Sequence, residues 1–483
     1  MNTRRNAAYN IAYRMFSIFL PLVTAPYLSR VVGQQGVGLY AYAWSISYLF
    51  VLLGMLGLAD YGVRAIAAVK DQPAELNRTF SEIYTMQLLV AGLTLAAWFV
   101  YVFVFARAEQ TIALHLTMMS VSCLVNIDWC LMGLDQFKPI ALRNTAVKLI
   151  AAACIFLFVR SPADLWIYAL AWSLATLIGC MLCWPLLRGK LRLTRVPFRG
   201  ALRHLWPCAV LFLSVLAVNI YRTMDKVMVG GMAGMAENGL YENAEKIIYC
   251  LSGLISAVGT VMLPKATFLL QRGEEGKVRQ SIRTTMDLIL CLTCGMAFGL
   301  AAVSAEFAPL FYGADFARSG DMMIPLGFTL ICIGLANVIR TQWILPQKRD
   351  HLFVISVVSG AVVNLIANLL LIPRLHAMGA VVGTLLAESA VPLIQYLYLR
   401  KELPYRGYLL SLLGYSLIGG VMLLALRLAA PLLPGGGWLH LALQVILGAA
   451  VYGGLSLLLW IAEGRKDLLR LIPGVKLPPS PRS

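Results

Sequence analysis

Charge is scarce in this chain: only 13% of its 483 residues are Asp, Glu, Lys or Arg. Acidic residues are the scarcer kind, 23 against 40 basic ones. The five histidines (His115, His204, His351, His376 and His440) are too few and too scattered for a metal site or proton relay. The ten cysteines all fall in apolar runs, so no disulfide framework is implied. Cys180-x-x-Cys183 and Cys291-x-x-Cys294 have a zinc or redox spacing but lack nearby histidine partners. They read better as small buried hydrophobes. No G-x-x-x-x-G-K-S/T loop occurs, so ATP is not the expected driver. What is abundant is apolar: 60% of the residues are hydrophobic and the mean hydropathy is +0.77. That composition belongs to a polytopic membrane protein.

A span needs about 20 mainly apolar residues. The sequence predicts fourteen, at 8–30, 38–66, 82–106, 110–134, 140–160, 164–188, 204–231, 239–268, 284–308, 322–345, 351–373, 378–400, 408–429 and 438–462. Arg4 and Arg5 precede the first apolar run like the start of a signal peptide, but no convincing cleavage site follows. The run is expected to stay as an uncleaved helix. With both termini cytoplasmic, most Lys and Arg fall in cytoplasmic segments, in keeping with the positive-inside rule. The densest run is Arg188, Lys190, Arg192, Arg195, Arg199 and Arg203. Basic loops facing anionic lipid explain the net charge of +17 better than a nucleic-acid surface does.

Two internal repeats organise the chain. Gly33, Gly38, Leu39, Tyr40, Ala43 and Ile46 return 201 positions later as Gly234, Gly239, Leu240, Tyr241, Ala244 and Ile247. Val147 to Ala151 and Leu170 to Ser173 return 216 positions later as Val363 to Ala367 and Leu386 to Ser389. Both offsets imply a shift of six spans. The expected fold is therefore all-α, with two pseudo-symmetric six-helix lobes in parallel repeat and two appended helices, an arrangement suited to rocking transport. The expected boundaries are 1–188 for the N-terminal lobe, 189–203 for a basic cytoplasmic linker, 204–401 for the C-terminal lobe and 402–483 for the last two helices and tail. The first repeat also diverges. Tyr40 to Ser45 is aromatic and small, where Tyr241 to Lys246 carries Glu242, Glu245 and Lys246.

A charge at the bilayer centre costs about 2.5–3.5 kcal/mol on insertion scales, so each one needs a partner, a wet cavity or a ligand. Arg14, Arg64, Asp128 and Arg340 lie towards the cytoplasm, Lys148 and Glu388 near mid-membrane, and Arg222, Asp225, Lys226, Glu242, Glu245 and Lys246 in the outer half. Asn219, Arg222 and Lys226 share one helix face. Glu242 and Glu245 either neutralise Arg222 and Lys226 or take part in binding or coupling; a breakable ion pair would do both. Arg64 and Arg340 can snorkel to the headgroups, whereas Arg14 and Lys148 are deeper and better placed to line a cavity. Glu388 is a candidate proton or sodium site, with an interhelical hydrogen bond as the alternative.

The residues Asn10 through Arg30, Gly33 through Tyr40, Gly57 to Arg64, Asp128-Trp129, Arg143-Asn144 and Tyr221 to Lys246 stand in a recognisable order. So do Pro346-Gln347-Lys348, Asn364, Asn368, Gly379-Ala380, Gly383-Thr384 and Glu388. Here the chain resembles the polysaccharide transporter family of lipid-linked oligosaccharide flippases, of O-antigen, capsule or teichoic-acid type. That family lies in the superfamily that also holds multidrug and toxin extruders. The resemblance implies a polyprenyl-pyrophosphate-linked oligosaccharide as substrate, moved outward across a bacterial cytoplasmic membrane by alternating access. Arg14, Arg64, Lys148, Arg222, Lys226, Lys246 and Arg340 then form a cationic cavity for the pyrophosphate. Asp128, Asp225, Glu242, Glu245 and Glu388 are candidates for coupling or switching. Asn10, Asn144, Asn219, Tyr241, Asn243 and Asn364 are candidates for polar lining. No cofactor or metal is expected beyond H+ or Na+ as coupling ion. Expected partners are membrane lipids and the lipid-linked glycan, with a polymerase or glycosyltransferases of the same pathway as candidates. A multidrug exporter would want carboxylates rather than so many cations in its cavity, and a membrane enzyme on the same carrier would want catalytic acids or large loops.

Overall fold

The computed structural model describes residues 2–469; for residues 2–19, 213–215, 217–218, 220–222 and 466 only the backbone element is described. Every regular element among them is helical. Eleven helical segments are long and apolar enough to cross a membrane, from Leu20–Val69 to Trp438–Ala462. Nothing but a bilayer would accommodate so many exposed apolar helices, so the chain is a polytopic membrane protein.

The fourteen expected spans map unevenly onto these helices. Spans one and two lie in α1 (Asn2–Met55) and α2 (Leu58–Val69), which together give one candidate segment. α1 is nevertheless broken at Gly33, where φ is 67° and ψ is −177°. α3 (Pro73–Val100) and a π-helical turn at Tyr101–Phe105 follow. Span four is divided: α4 (Gln110–Val125) ends at Asn126, whose backbone is extended, and α5 (Asp128–Gly133) starts afresh. The Asn126 side chain accepts the Asp128 amide at 3.0 Å, a local bond that competes with the helical ladder. α6 (Phe137–Phe158), α7 (Leu165–Met181), the short α8 (Phe198–Leu202), α9 (Leu205–Ala233) and α10 (Met235–Gln271) continue the chain.

The chain divides into two compact units, Met1–Glu242 and Asn243–Ser483. That division lies beyond the basic segment 189–203, which falls wholly inside the first unit. In the first unit α1 packs on α3, α4, α6 and α9, and α4 packs on α7. A buried cluster of Leu58, Ile66, Phe80, Ile83, Met86 and Trp129 joins α2, α3 and α5.

Two repeated glycine pairs explain the local backbone of this unit. Gly33 and Gly234 both have positive φ (67° and 96°) with ψ near 180° (−177° and 164°). That region is essentially reserved for glycine, so the same helix break recurs in both copies of the repeat. Gly38 and Gly239 act differently, at a close approach. A Cβ on Gly38 would strike the Met235 carbonyl oxygen, and one on Gly239 would strike the Gln34 carbonyl oxygen. Asn238 fixes the same crossing by donating to the Gly38 carbonyl at 2.8 Å.

The second unit holds most of α10, then α11 (Glu275–Tyr312), α12 (Ala317–Ile339), a π-helical turn at Arg340–Ile344, α13 (Asp350–Leu375), α14 (Ala377–Leu399), α15 (Tyr405–Ala429) and α16 (Trp438–Ala462). α11 packs on α12 and α15, α13 on α14, and α14 on α12.

Candidate functional site

The expected outer-half cluster is partly built within the first unit. α9 carries Asp225 and Lys226 about two turns before its end, and the Gly234 break turns the chain into α10. Tyr241 and Glu242 then lie one helical turn beyond Asn238. Lys226 Nζ is 2.7 Å from Glu242 Oε2, and both side chains are largely buried. Asp225 is buried beside it and accepts a hydrogen bond from the Tyr241 hydroxyl at 2.9 Å. The ion pair and the hydroxyl–carboxylate bond each place a charged group against a partner inside the helix packing.

The opposite copy of the repeat supplies the aromatic neighbours. Trp44 stacks on Tyr48 at 5.0 Å, and the Lys226 ammonium lies 6.0 Å from the Trp44 ring centre. That is the outer limit for a cation–π contact. Tyr48 donates to Asn219 Oδ1 at 3.5 Å, a long bond. Trp44 of the first copy thus adjoins Lys226, which stands on α9 ahead of the second copy and pairs with Glu242 within it. Trp44 was not marked by sequence, because nothing in its own segment signals the partner.

A second ionic group forms where α5 meets α6. Arg143 grips Asp128 with two bonds, Nη1 to Oδ1 at 2.9 Å and Nη2 to Oδ2 at 3.0 Å. Its Nε donates to Asn144 Oδ1 at 3.0 Å, and the Cys183 thiol donates to Asp128 Oδ1 at 3.2 Å. Arg143 stood outside the expected cations; an acid and a base on consecutive helices were the available signal. Half-buried Lys148 lies one turn beyond Asn144. Arg64 is exposed on α2.

The remaining sites belong to the second unit. Asn243 is fully buried, and its carbonyl accepts from the Tyr312 hydroxyl at 3.0 Å. Glu245 and Lys246 are half-buried on the next turn. Arg340 begins the π-helical turn and lies 5.3 Å from the Phe353 ring centre. Asn364 is buried on α13 and accepts from Asn368 Nδ2 at 3.2 Å. Glu388 is buried on α14, the helix packed against α13. The side chains of Asn10, Arg14 and Arg222 lie outside the described residues. Among the described residues no cluster of three His, Cys, Asp or Glu could hold a metal.

Two further carboxylates, Glu82 within α3 and Glu402 in a loop, gather cations and other donors around them. Glu82 is buried and bonded to Arg78, Arg203 and His204. Glu402, between α14 and α15, takes both Arg349 Nη1 at 2.7 Å and Trp343 Nε1 at 2.9 Å. Burial raises the Glu402 pKa, but these bonds and the nearby Arg349 and Arg279 charges outweigh it and hold the carboxyl below its usual range.

Comparison with known proteins agrees with this architecture. A protein of Shigella dysenteriae, provisionally named an O-antigen transporter, is 22% identical over 383 residues, covering 77% of this chain and 94% of that one. The lipid II flippase MurJ of Bacillus subtilis is 25% identical over 244 residues, covering 48% of this chain and 44% of its own. A solved lipid II flippase MurJ in an inward closed conformation shares the fold, with a TM-score of 0.76, 17% identity, and coverage of 97% and 100% of the two chains. A family model described as polysaccharide biosynthesis protein matches residues 3–267, more than half of the chain. The chain belongs to the polysaccharide biosynthesis protein family.

Proposed function

We infer that this protein is a flippase moving a lipid-linked oligosaccharide across the membrane, a transporter rather than an enzyme. The observation that carries the reading is family membership, together with relatives named as an O-antigen transporter and a lipid II flippase. The substrate is an oligosaccharide on polyprenyl pyrophosphate, carried from the cytoplasmic to the outer leaflet of a bacterial inner membrane. The termini are cytoplasmic, as the distribution of Lys and Arg favours. Fourteen helices form two six-helix lobes, 1–188 and 204–401, joined by the basic segment 189–203 and followed by two helices in 402–483. The recurrence of the same backbone break at Gly33 and Gly234 supports that duplication.

A pyrophosphate must lose water to cross, and fixed cations offset that cost. Arg14, Lys148 and Arg222, with Lys226, Lys246, Arg64 and Arg340, are the side chains assigned to this work, Arg as a two-pronged phosphate ligand and Lys as a point charge. The Lys226–Glu242 pair serves as a latch: substrate anion competes for Lys226, and Glu242 is released to take a proton or sodium ion. Glu388 is the second candidate for coupling, and Asp128 stays clasped by Arg143.

The test is export in cells whose own copy has been deleted. Lys148→Ala and Arg222→Ala are expected to lower surface delivery of the glycan by about tenfold or more, the loss of a charge-assisted bond to phosphate. Protein level in the membrane should be unchanged. Normal export by both variants sinks the cationic cavity. Purified protein that altered the glycan covalently, instead of relocating it, would overturn the flippase reading itself.

A further inference from the structure

One cavity of the second unit is lined by none of the residues assigned above to transport. It measures about 970 Å³ and opens between α11, α12, the end of α14 and the start of α15. That is the upper end of the usual range for a small-molecule site. Its walls are mostly apolar, with Leu335, Leu393, Leu409 and Leu412 among them. Tyr396, Tyr405 and Tyr408 form an edge-to-face series along it, with ring centres 5.0 and 5.6 Å apart.

Its polar features point to a ligand. Arg400, Lys401 and Arg406 stand at its mouth, exposed, and none makes an ion pair among the described residues. The one carboxylate of the connecting loop, Glu402, is already taken by Arg349 and Trp343. Deeper in, Gln395 is 1% exposed and Tyr408 3% exposed, and both line the cavity. The Gln395 Oε1 and the Tyr408 hydroxyl have no hydrogen-bond partner in the protein. A buried polar atom left so carries a penalty that a bound group would remove. Three cations over an apolar chamber with unmet polar groups at its neck match an anionic lipid: phosphate outside, ester groups at the neck, acyl chains within. Basic pockets between membrane helices on the cytoplasmic side take such headgroups.

We propose that this cavity binds an anionic phospholipid of the surrounding bilayer, with Arg400, Lys401 and Arg406 on its phosphate and Tyr408 and Gln395 on its glycerol esters. The reading needs the cytoplasmic orientation given above but not the identity of the transported glycan.

The full chain would be purified and placed in mixed micelles with phosphatidylglycerol, cardiolipin or phosphatidylcholine, and bound lipid counted by native mass spectrometry. Wild type should retain the anionic lipids selectively. The variant R400Q/K401Q/R406Q, altered only at exposed positions, should retain them at least about tenfold less. Tyr408→Phe, which removes one hydroxyl, should weaken retention without loss of selectivity. Equal retention by wild type and the triple variant, or equal binding of phosphatidylcholine, overturns the proposal. Displacement of phosphatidylglycerol by an equimolar polyprenyl phosphate also overturns it, making the cavity a substrate site instead. Glycan export by the same variants is a separate measurement and bears on the flippase reading alone.

Discussion

At the scale of single residues, the buried Lys226–Glu242 pair is the point where structure and proposed transport meet. Breaking one partner leaves the other charged and uncompensated, which costs about 3–5 kcal/mol in a buried setting. Lys226→Met and Glu242→Gln should therefore each lower the thermal midpoint of the detergent-solubilised protein. The double variant should regain most of the loss, with a coupling of about 1–3 kcal/mol. Simple additivity would show that the pair does not hold the fold. A double variant that folds normally but fails to export glycan would locate a transport role in the same pair. Glu402 makes a different prediction, about pH. Its folded pKa lies below the usual glutamate value of 4.5, so its contribution to stability is present above that value. That contribution is lost as pH falls through the lowered folded value. Wild type should thus lose more thermal stability than Glu402→Gln between pH 7 and the acid range. Parallel losses would remove Glu402 from the account.

Between neighbouring elements, the crossing at Gly38 and Gly239 is limited by main chain on both sides. A methyl group at either position meets a carbonyl oxygen that cannot rotate away. Gly38→Ala and Gly239→Ala should each destabilise by about 1–3 kcal/mol, the usual cost of overpacking. Gly231→Ala, on α9 and with nothing within 4 Å of its added Cβ, is the control and should be neutral or better. Survival of the folded fraction after heating, read by size-exclusion profile, separates the three. If Gly38→Ala matched Gly231→Ala, the close approach would be disproved. Sequence pointed to these glycines through their repetition but not to their mutual contact, because a local pattern carries no information about which helix lies opposite. The break in span four was hidden for a similar reason. Gln110 through Leu134 is apolar enough for one helix, and only the Asn126 side chain, bonding to the Asp128 amide, reveals the interruption.

For the whole molecule, the membrane class was legible from composition, since apolar content on this scale has no other use. The family was legible because charged residues within spans are costly and therefore stand out. Sequence also placed Asp225, Lys226 and Glu242 in one group with Arg222, Glu245 and Lys246, on either side of a short turn, but offered Tyr241 only as polar lining. It did not select Arg143 or Trp44. An arginine near a helix start reads as a headgroup anchor, and a tryptophan in an apolar run reads as filler, until the acid or ammonium facing it is known. The cavity at Arg400 to Leu412 was equally silent, its cations merging into the general basic surplus of the loops. The Gly38–Gly239 crossing has one more consequence, for how such a chain can diverge. Two segments of similar sequence rest against each other at the very residue that repeats. Neither copy can drift alone there: a side chain gained by one is refused by the backbone of the other, and no substitution in the partner can make room. Each glycine is thus the other's constraint, and the two segments are free to differ at the positions after it, where one carries tryptophan and the other charge.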